Sequence, residues 1–213
     1  MVKIFLVRHG YSIGNEKDLI TGQFDCDLNE VGFKQAELVG EYIFNNLEID
    51  AFYSSDLCRA VNTIKPAATK CNLPIFQEAA FRELSAGDWE SLTFDEASKL
   101  YPKEFEAWVN KEEGGIPKNG ETWESLFERA TKRLNELMKD SDGKNIVICT
   151  HGGVIKVLQC YFMGKKVQYM TEIEWVSNAS ISEIWYDNGK YQIKQMGYDE
   201  YLKDIKTHLP KTI

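Results

Sequence analysis

Apolar positions along this chain fall into two kinds of run. "VKIFLV" (2–7), "IDAFYSS" (49–55) and "NIVICT" (145–150) are short, apolar almost throughout and rich in β-branched or aromatic residues, which predicts buried strands. "EVGFKQAELVGEYIFNNL" (30–47) instead carries Val31, Ala36, Val39, Ile43 and Leu47 at helical spacing, with Asn29 placed to cap its start. A second helix is expected to open at Asp56 and to hold Leu57, Ala60 and Ile64, with Pro66 kinking or ending it. "VIKVLQCYFM" (154–163) predicts a third helix, and "ISEIWYDNGKYQIKQM" (181–196) alternates around Asn188-Gly189 as a β-hairpin does.

Strands alternating with helices imply right-handed βαβ units. The expected fold is therefore α/β, a three-layer α/β/α arrangement around a mainly parallel sheet. Residues 85–122 interrupt that rhythm. They are aromatic-rich and hold nine acidic against four basic residues, with Thr93 and Glu96 at capping-box spacing. This stretch reads as a small helical insertion or lid over the site. The whole chain, 1–213, is expected to form a single domain, and 43% hydrophobic residues suffice for one core.

Charge narrows the function. A net charge of −8 and a pI near 5.1 argue against binding nucleic acid or an anionic membrane surface. An anionic ligand would need a local basic pocket. No apolar run reaches membrane-spanning length, and Met1 leads into a segment too short for a signal core, so a cytoplasmic location is expected. The five cysteines (Cys26, Cys58, Cys71, Cys149, Cys160) show no CxxC pairing and read as reduced thiols; a zinc site is disfavoured.

In open parallel sheets, ligands bind beyond the carboxyl ends of the strands. Three predicted strands end on special residues: Arg8-His9-Gly10, then Ser54 to Arg59, then Thr150-His151-Gly152-Gly153. Only three histidines exist, and two of them stand at such exposed strand ends; the third, His208, sits in a polar tail and reads as solvated. Alone, each residue has a plain structural explanation. Together, two arginines and two histidines make a cage of N–H donors suited to a tetrahedral anion. Gly152 and Gly153 let the backbone approach, and the helix after them offers its own N–H groups.

These motifs carry a resemblance. "VRHG", "SSDLCRAVNT", "FRELSAGDWES" and "CTHGGVIK" resemble, in the same order, the motifs of the histidine phosphatase superfamily, the phosphoglycerate-mutase-like proteins. "TGQFDCDLNEVGFKQA" and "NASISEIWYDNGK" are similar to its connecting and tail segments. The resemblance implies a nucleophilic His9 that forms a phosphohistidine. It implies that Arg8, Arg59 and His151 hold the phosphoryl oxygens, with Asn15, Gly22 and Gly152 nearby, and that Glu83 is the general acid. Asp88, Glu90 and Glu121 are the next acids in reach of that motif. Tyr11-Ser12 departs from the pair usual after the family's RHG.

Fixed cations around a transferring phosphoryl group stabilise its charge without a metal, so no metal and no cofactor are expected. "ELSAGDWES" resembles the phosphatase branch, which favours phosphomonoester hydrolysis over mutase-type transfer or a non-catalytic phospho-ligand module. The expected partner is a small phosphomonoester; a homodimer is the one assembly left open. Trp89, Phe94, Tyr101, Phe105, Trp108 and Trp123 are candidates either for a leaving-group pocket or for ordinary helix packing.

Overall fold

The computed structural model describes residues 1–110 and 115–207. Its centre is β1 (Val2–Arg8), flanked by β4 (Asn145–Thr150) in parallel and by β5 (Ile181–Asp187) antiparallel. On one side the sheet continues through β2 (Ala51–Ser54) to β3 (Ile75–Gln77), both parallel; on the other, β6 (Lys190–Tyr198) closes the predicted hairpin. The order β3-β2-β4-β1-β5-β6 is the expected mainly parallel sheet with an antiparallel edge.

Both faces of the central strands are covered, which explains their unbroken apolar runs. Ile4 and Leu6 of β1 join Ile146 and Ile148 of β4 in one core, against α6 (Trp123–Lys139) and α7 (Gly152–Phe162). The alternate residues Phe5, Val7, Val147 and Cys149 join the opposite core, against α2 (Glu30–Asn46) and α3 (Cys58–Cys71). A single register slip would exchange the two sets, so the pairing Leu6↔Ile148 is held by packing on both sides. Ahead of α2 lies only the short α1 (Ile13–Glu16).

The second helix rules out one reading of Pro66, that it ends the helix. It starts at Cys58, two residues later than expected, and runs past Pro66 to Cys71, where Asn72 caps it in a left-handed conformation. Pro66 is tolerated because α2 passes it closely: a Cβ on Gly40 would stand 2.8 Å from the Pro66 Cβ. Helix packing thus outweighs the one backbone bond the proline deletes. In the 85–122 stretch the structure forms α4 (Phe94–Leu100), opened by the expected Thr93/Glu96 capping box, and α5 (Pro102–Val109). His208 lies outside the described residues. All five cysteines are free thiols.

Candidate active site

The end of β1 is tied down by backbone bonds. His9 N–H donates to the Thr150 carbonyl at 2.9 Å, and Gly10 N–H donates to Thr63 Oγ1 of α3 at 2.8 Å. The first-strand motif is therefore buried, not exposed: Arg8 and His9 are only 6% and 5% accessible. His9 Nδ1 sits 2.7 Å from the Gly10 carbonyl, so it is the protonated nitrogen and donates there. Nε2 is then the basic nitrogen, and the ring forms part of a cavity wall.

Burial first, then the Arg59 and Arg8 charges, push the His9 imidazolium pKa well below its ordinary value. His151 is pushed the same way, by burial, Arg59 and then His9. The two rings lie 5.1 Å apart. Burial also lowers both guanidinium pKa values, Arg8 to about 10, which still leaves them cations at neutral pH.

Arg59 is fully buried at the start of α3. Its Nη1 and Nη2 donate to the carbonyls of Phe24 (2.9 Å) and Gly22 (2.7 Å). Gly22 has a φ of +47°, a left-handed conformation that turns its carbonyl toward Arg59. Arg8 Nη1 donates to the Val176 carbonyl at 2.5 Å. His151 Nε2 pairs with Ser55 Oγ at 2.8 Å. What remains is telling. Among the described residues four buried side-chain polar atoms lack a partner, and three are Arg8 Nε, Arg59 Nε and His151 Nδ1. Each orphaned group costs about 1–3 kcal/mol, and three in one place mark a site built for acceptor oxygens.

Glu83 stands across the cavity. Its Oε1 accepts the Leu84 N–H at 2.8 Å, and its Oε2 accepts the Gly153 N–H, in the first turn of α7, at 3.0 Å. The other acids of that region are committed elsewhere. Asp88 takes Asn119 at 2.9 Å, Glu90 Oε1 takes the N–H groups of Gln23 (2.8 Å) and Ala86 (3.0 Å), and Glu121 pairs with Arg129 at 2.7 Å. None of these three lines the cavity.

The cavity has a volume of about 240 Å³. Arg8, His9, Asn15, Gly22 and Glu83 contribute to its wall; Arg59, His151 and Gly152 are not among its lining residues. Gly152 opens α7, with the Trp175 ring against it. Asn15 completes a capping box with Ser12, whose N–H and Oγ both donate to Asn15 Oδ1 at 3.1 Å. The departure Tyr11-Ser12 thus has a local meaning: Ser12 caps α1, and Tyr11 lines the cavity. The aromatic candidates divide. Trp89, Phe94, Trp108 and Trp123 line the cavity, whereas Tyr101 and Phe105 pack on Trp89 at centroid distances of 6.3 and 5.6 Å.

Two further residues contribute to the site. Asn178 Nδ2 donates to the His9 carbonyl at 3.0 Å and to Asn15 Oδ1 at 3.2 Å, joining two parts of the wall. Arg129, on α6, donates to the carbonyls of Ala80 (2.8 Å) and Glu83 (2.9 Å) and so fixes the segment that carries the acid. Only the tail motif "NASISEIWYDNGK" pointed toward Asn178.

Known proteins are similar to this chain in sequence and in fold. The family model of the histidine phosphatase superfamily (branch 1) matches residues 4–199. Phosphoglycerate mutase-like protein 4 of Arabidopsis thaliana is 33% identical, over 95% of this chain and 87% of its own. Metal-independent phosphoserine phosphatase of the same plant is 32% identical, over 96% of this chain and 85% of its own. The solved structure of Bacillus stearothermophilus YhfR superposes with a TM-score of 0.88 at 25% identity, covering 95% of this chain and all of that one. With the family model spanning nearly the whole α/β core and the motif residues converging on one cavity, the chain belongs to branch 1 of the histidine phosphatase superfamily.

Proposed function

We propose that this protein hydrolyses a small phosphomonoester through a phosphohistidine on His9. The observation that carries the reading is the state of His9. Its Nδ1–H is anchored on the Gly10 carbonyl, which leaves Nε2 as the basic nitrogen; burial and the arginines disfavour the charged ring, and the residue lines the cavity. A neutral, oriented imidazole is the form that can attack phosphorus.

Nε2 attacks the phosphorus in line with the ester oxygen, and the P–O bond breaks as the P–N bond forms. Arg8, Arg59 and His151 offer the unpaired N–H groups to the equatorial oxygens, where the charge spreads. The departing alkoxide takes a proton from the Glu83 carboxyl. A water then attacks the phosphohistidine, Glu83 takes its proton, and phosphate leaves with His9 restored. The arginines supply the positive charge these steps need, and the protein works as a metal-independent enzyme of the cytoplasm.

Mutase-type transfer would need a second anion site, since the phosphoryl acceptor there carries another charged group. Among the described residues Arg8 is the one lysine or arginine on the cavity wall, which favours hydrolysis. The deciding experiment supplies labelled phosphomonoester and traps the enzyme without acid. Label on His9, phosphate release, and loss of both in His9→Ala support the reading. With 3-phosphoglycerate and catalytic 2,3-bisphosphoglycerate, isomerisation faster than phosphate release would overturn it in favour of a mutase.

A further inference from the structure

The cavity wall brings two kinds of group together. Arg8, His9, Asn15 and Gly22 suit a phosphoryl group. Leu19, Trp89, Phe94, Trp108, Trp123 and Trp175 line it as well, with Trp175 and Arg8 both close to Gly152 and Trp123 and Glu83 both close to Gly153, and the one further charge besides Glu83 is Asp18. Trp89 is 2% accessible and braced by Phe105 and Trp108, with centroids at 5.6 and 6.1 Å, so this wall is firm and not a set of loose surface rings.

We infer that the leaving group is an uncharged alcohol bearing an apolar ring, and that the cavity discriminates against alcohols carrying a carboxylate. This inference rests on the phosphatase reading. Four indoles and a phenyl ring around a narrow cavity match a planar or cyclic apolar body, which gains both burial and offset ring contacts. A carboxylate in the same place would lose its water shell and find no cation to replace it. In the phosphatase reading Arg8 and Arg59 are both taken by the phosphoryl group, and two of the Arg59 nitrogens are bonded to Phe24 and Gly22. The nearby ammonium of Lys156 lies 4.3 Å from the Trp175 ring centroid and is not on the wall. Asp18 then adds repulsion. Its side chain is exposed at the cavity edge, and its field is felt at the Tyr11 hydroxyl, which it pushes toward a higher pKa after burial.

The experiment compares kcat/KM for four substrates: p-nitrophenyl, ethyl, benzyl and 4-carboxybenzyl phosphate, with 3-phosphoglycerate and O-phosphoserine alongside. Benzyl phosphate should exceed ethyl phosphate by about ten- to a hundredfold, the worth of burying one ring. The 4-carboxybenzyl ester, with nearly the same leaving alcohol, should fall well below benzyl phosphate. Phe94→Ala should narrow the benzyl-to-ethyl ratio. Asp18→Asn, at an exposed position on the cavity edge, should raise the ratio of carboxybenzyl to benzyl phosphate turnover roughly three- to fivefold at low salt. If p-nitrophenyl phosphate is not hydrolysed at all, the phosphatase reading itself falls. If it is hydrolysed while 3-phosphoglycerate, phosphoserine or the carboxybenzyl ester matches or surpasses benzyl phosphate, hydrolysis stands and this inference is overturned.

Discussion

Gly153 and Glu83 hold each other in place. The Gly153 N–H donates to Glu83 Oε2 at 3.0 Å, and a Cβ at Gly153 would stand 2.3 Å from Glu83 Oε1. The first turn of α7 therefore positions the proposed acid through an N–H group and through the absence of a side chain. Gly153→Ala should move the carboxylate while leaving the cores intact, because the obstructing atom is the end of a flexible side chain. Turnover of an alkyl phosphate should drop about ten- to a hundredfold, part of the full worth of general-acid help. Thermal unfolding should shift by only a few degrees. Unchanged turnover would mean that Glu83 acts from some other position.

The two arginines differ in what their loss should do. Arg8→Ala removes a donor at the cavity wall and leaves the Val176 carbonyl unpaired. Arg59→Ala also leaves the carbonyls of Gly22 and Phe24 unpaired and empties a fully buried volume. Both variants should bind vanadate, a mimic of the five-coordinate phosphoryl group, much more weakly, by about 1.5–3 kcal/mol per charge-assisted bond. Arg59→Ala should lose the more stability, about 2–4 kcal/mol, since it strands two carbonyls where Arg8→Ala strands one. Inhibition constants and urea midpoints measured on the same preparations separate the two effects.

Much of this site was legible because the apolar runs stop on unusual residues. β1 and β4 read as buried strands, and Arg8, His9 and His151 follow at their ends. The three-residue β3 was not legible, since Ile75, Phe76 and Gln77 are too few to show a period. Helix α6 went unassigned although Leu126, Ala130, Leu134 and Leu137 mark one apolar face, because its dense charges resemble a solvated stretch. Arg129 on that helix could not be tied to Glu83 from sequence, as the contact spans 46 residues and ends on a backbone carbonyl. The burial of His9 was likewise hidden, since it depends on loops that arrive from residues 176–179.

Acid should destabilise the fold through the two buried imidazoles. In the native state burial and the arginines hold His9 and His151 well below their ordinary pKa, whereas the unfolded chain protonates them near pH 6.5. Below that pH the unfolded state binds more protons. Stability is thus unaffected by these groups above about pH 6.5 and falls as pH drops toward their folded values, by up to ~1.4 kcal/mol per histidine per pH unit. Urea midpoints at pH 7.5 and 5.5, in phosphate-free buffer, should show the decline, and His9→Ala should make it shallower. An equally steep decline in that variant would separate His9 protonation from unfolding. The acid limb of kcat/KM should also lie clearly below pH 6.5.

Glu83→Gln tests the proton transfer itself. An alkyl alcohol leaves as a strongly basic anion and needs the proton, whereas nitrophenolate scarcely does. The value of the carboxyl should therefore scale with leaving-group basicity. Glutamine keeps the shape, but its single carbonyl oxygen can accept only one of the two N–H groups, Leu84 or Gly153, that Glu83 takes on separate oxygens. Its amide cannot serve as the acid. Phosphorylation of His9 by benzyl phosphate should slow by about a hundred- to ten-thousandfold, against a far smaller loss with p-nitrophenyl phosphate. The comparison belongs to a single turnover, because in the proposed mechanism Glu83 is also the base when water attacks the phosphohistidine, and steady-state rates would mix the two steps. Equal losses on both esters in the phosphorylation step would make Glu83 a positioning residue. No ready substitute is at hand in that case: Glu121 is held by Arg129, Glu90 by the N–H groups of Gln23 and Ala86, and Asp88 by Asn119. The proton would then have to come from bound water.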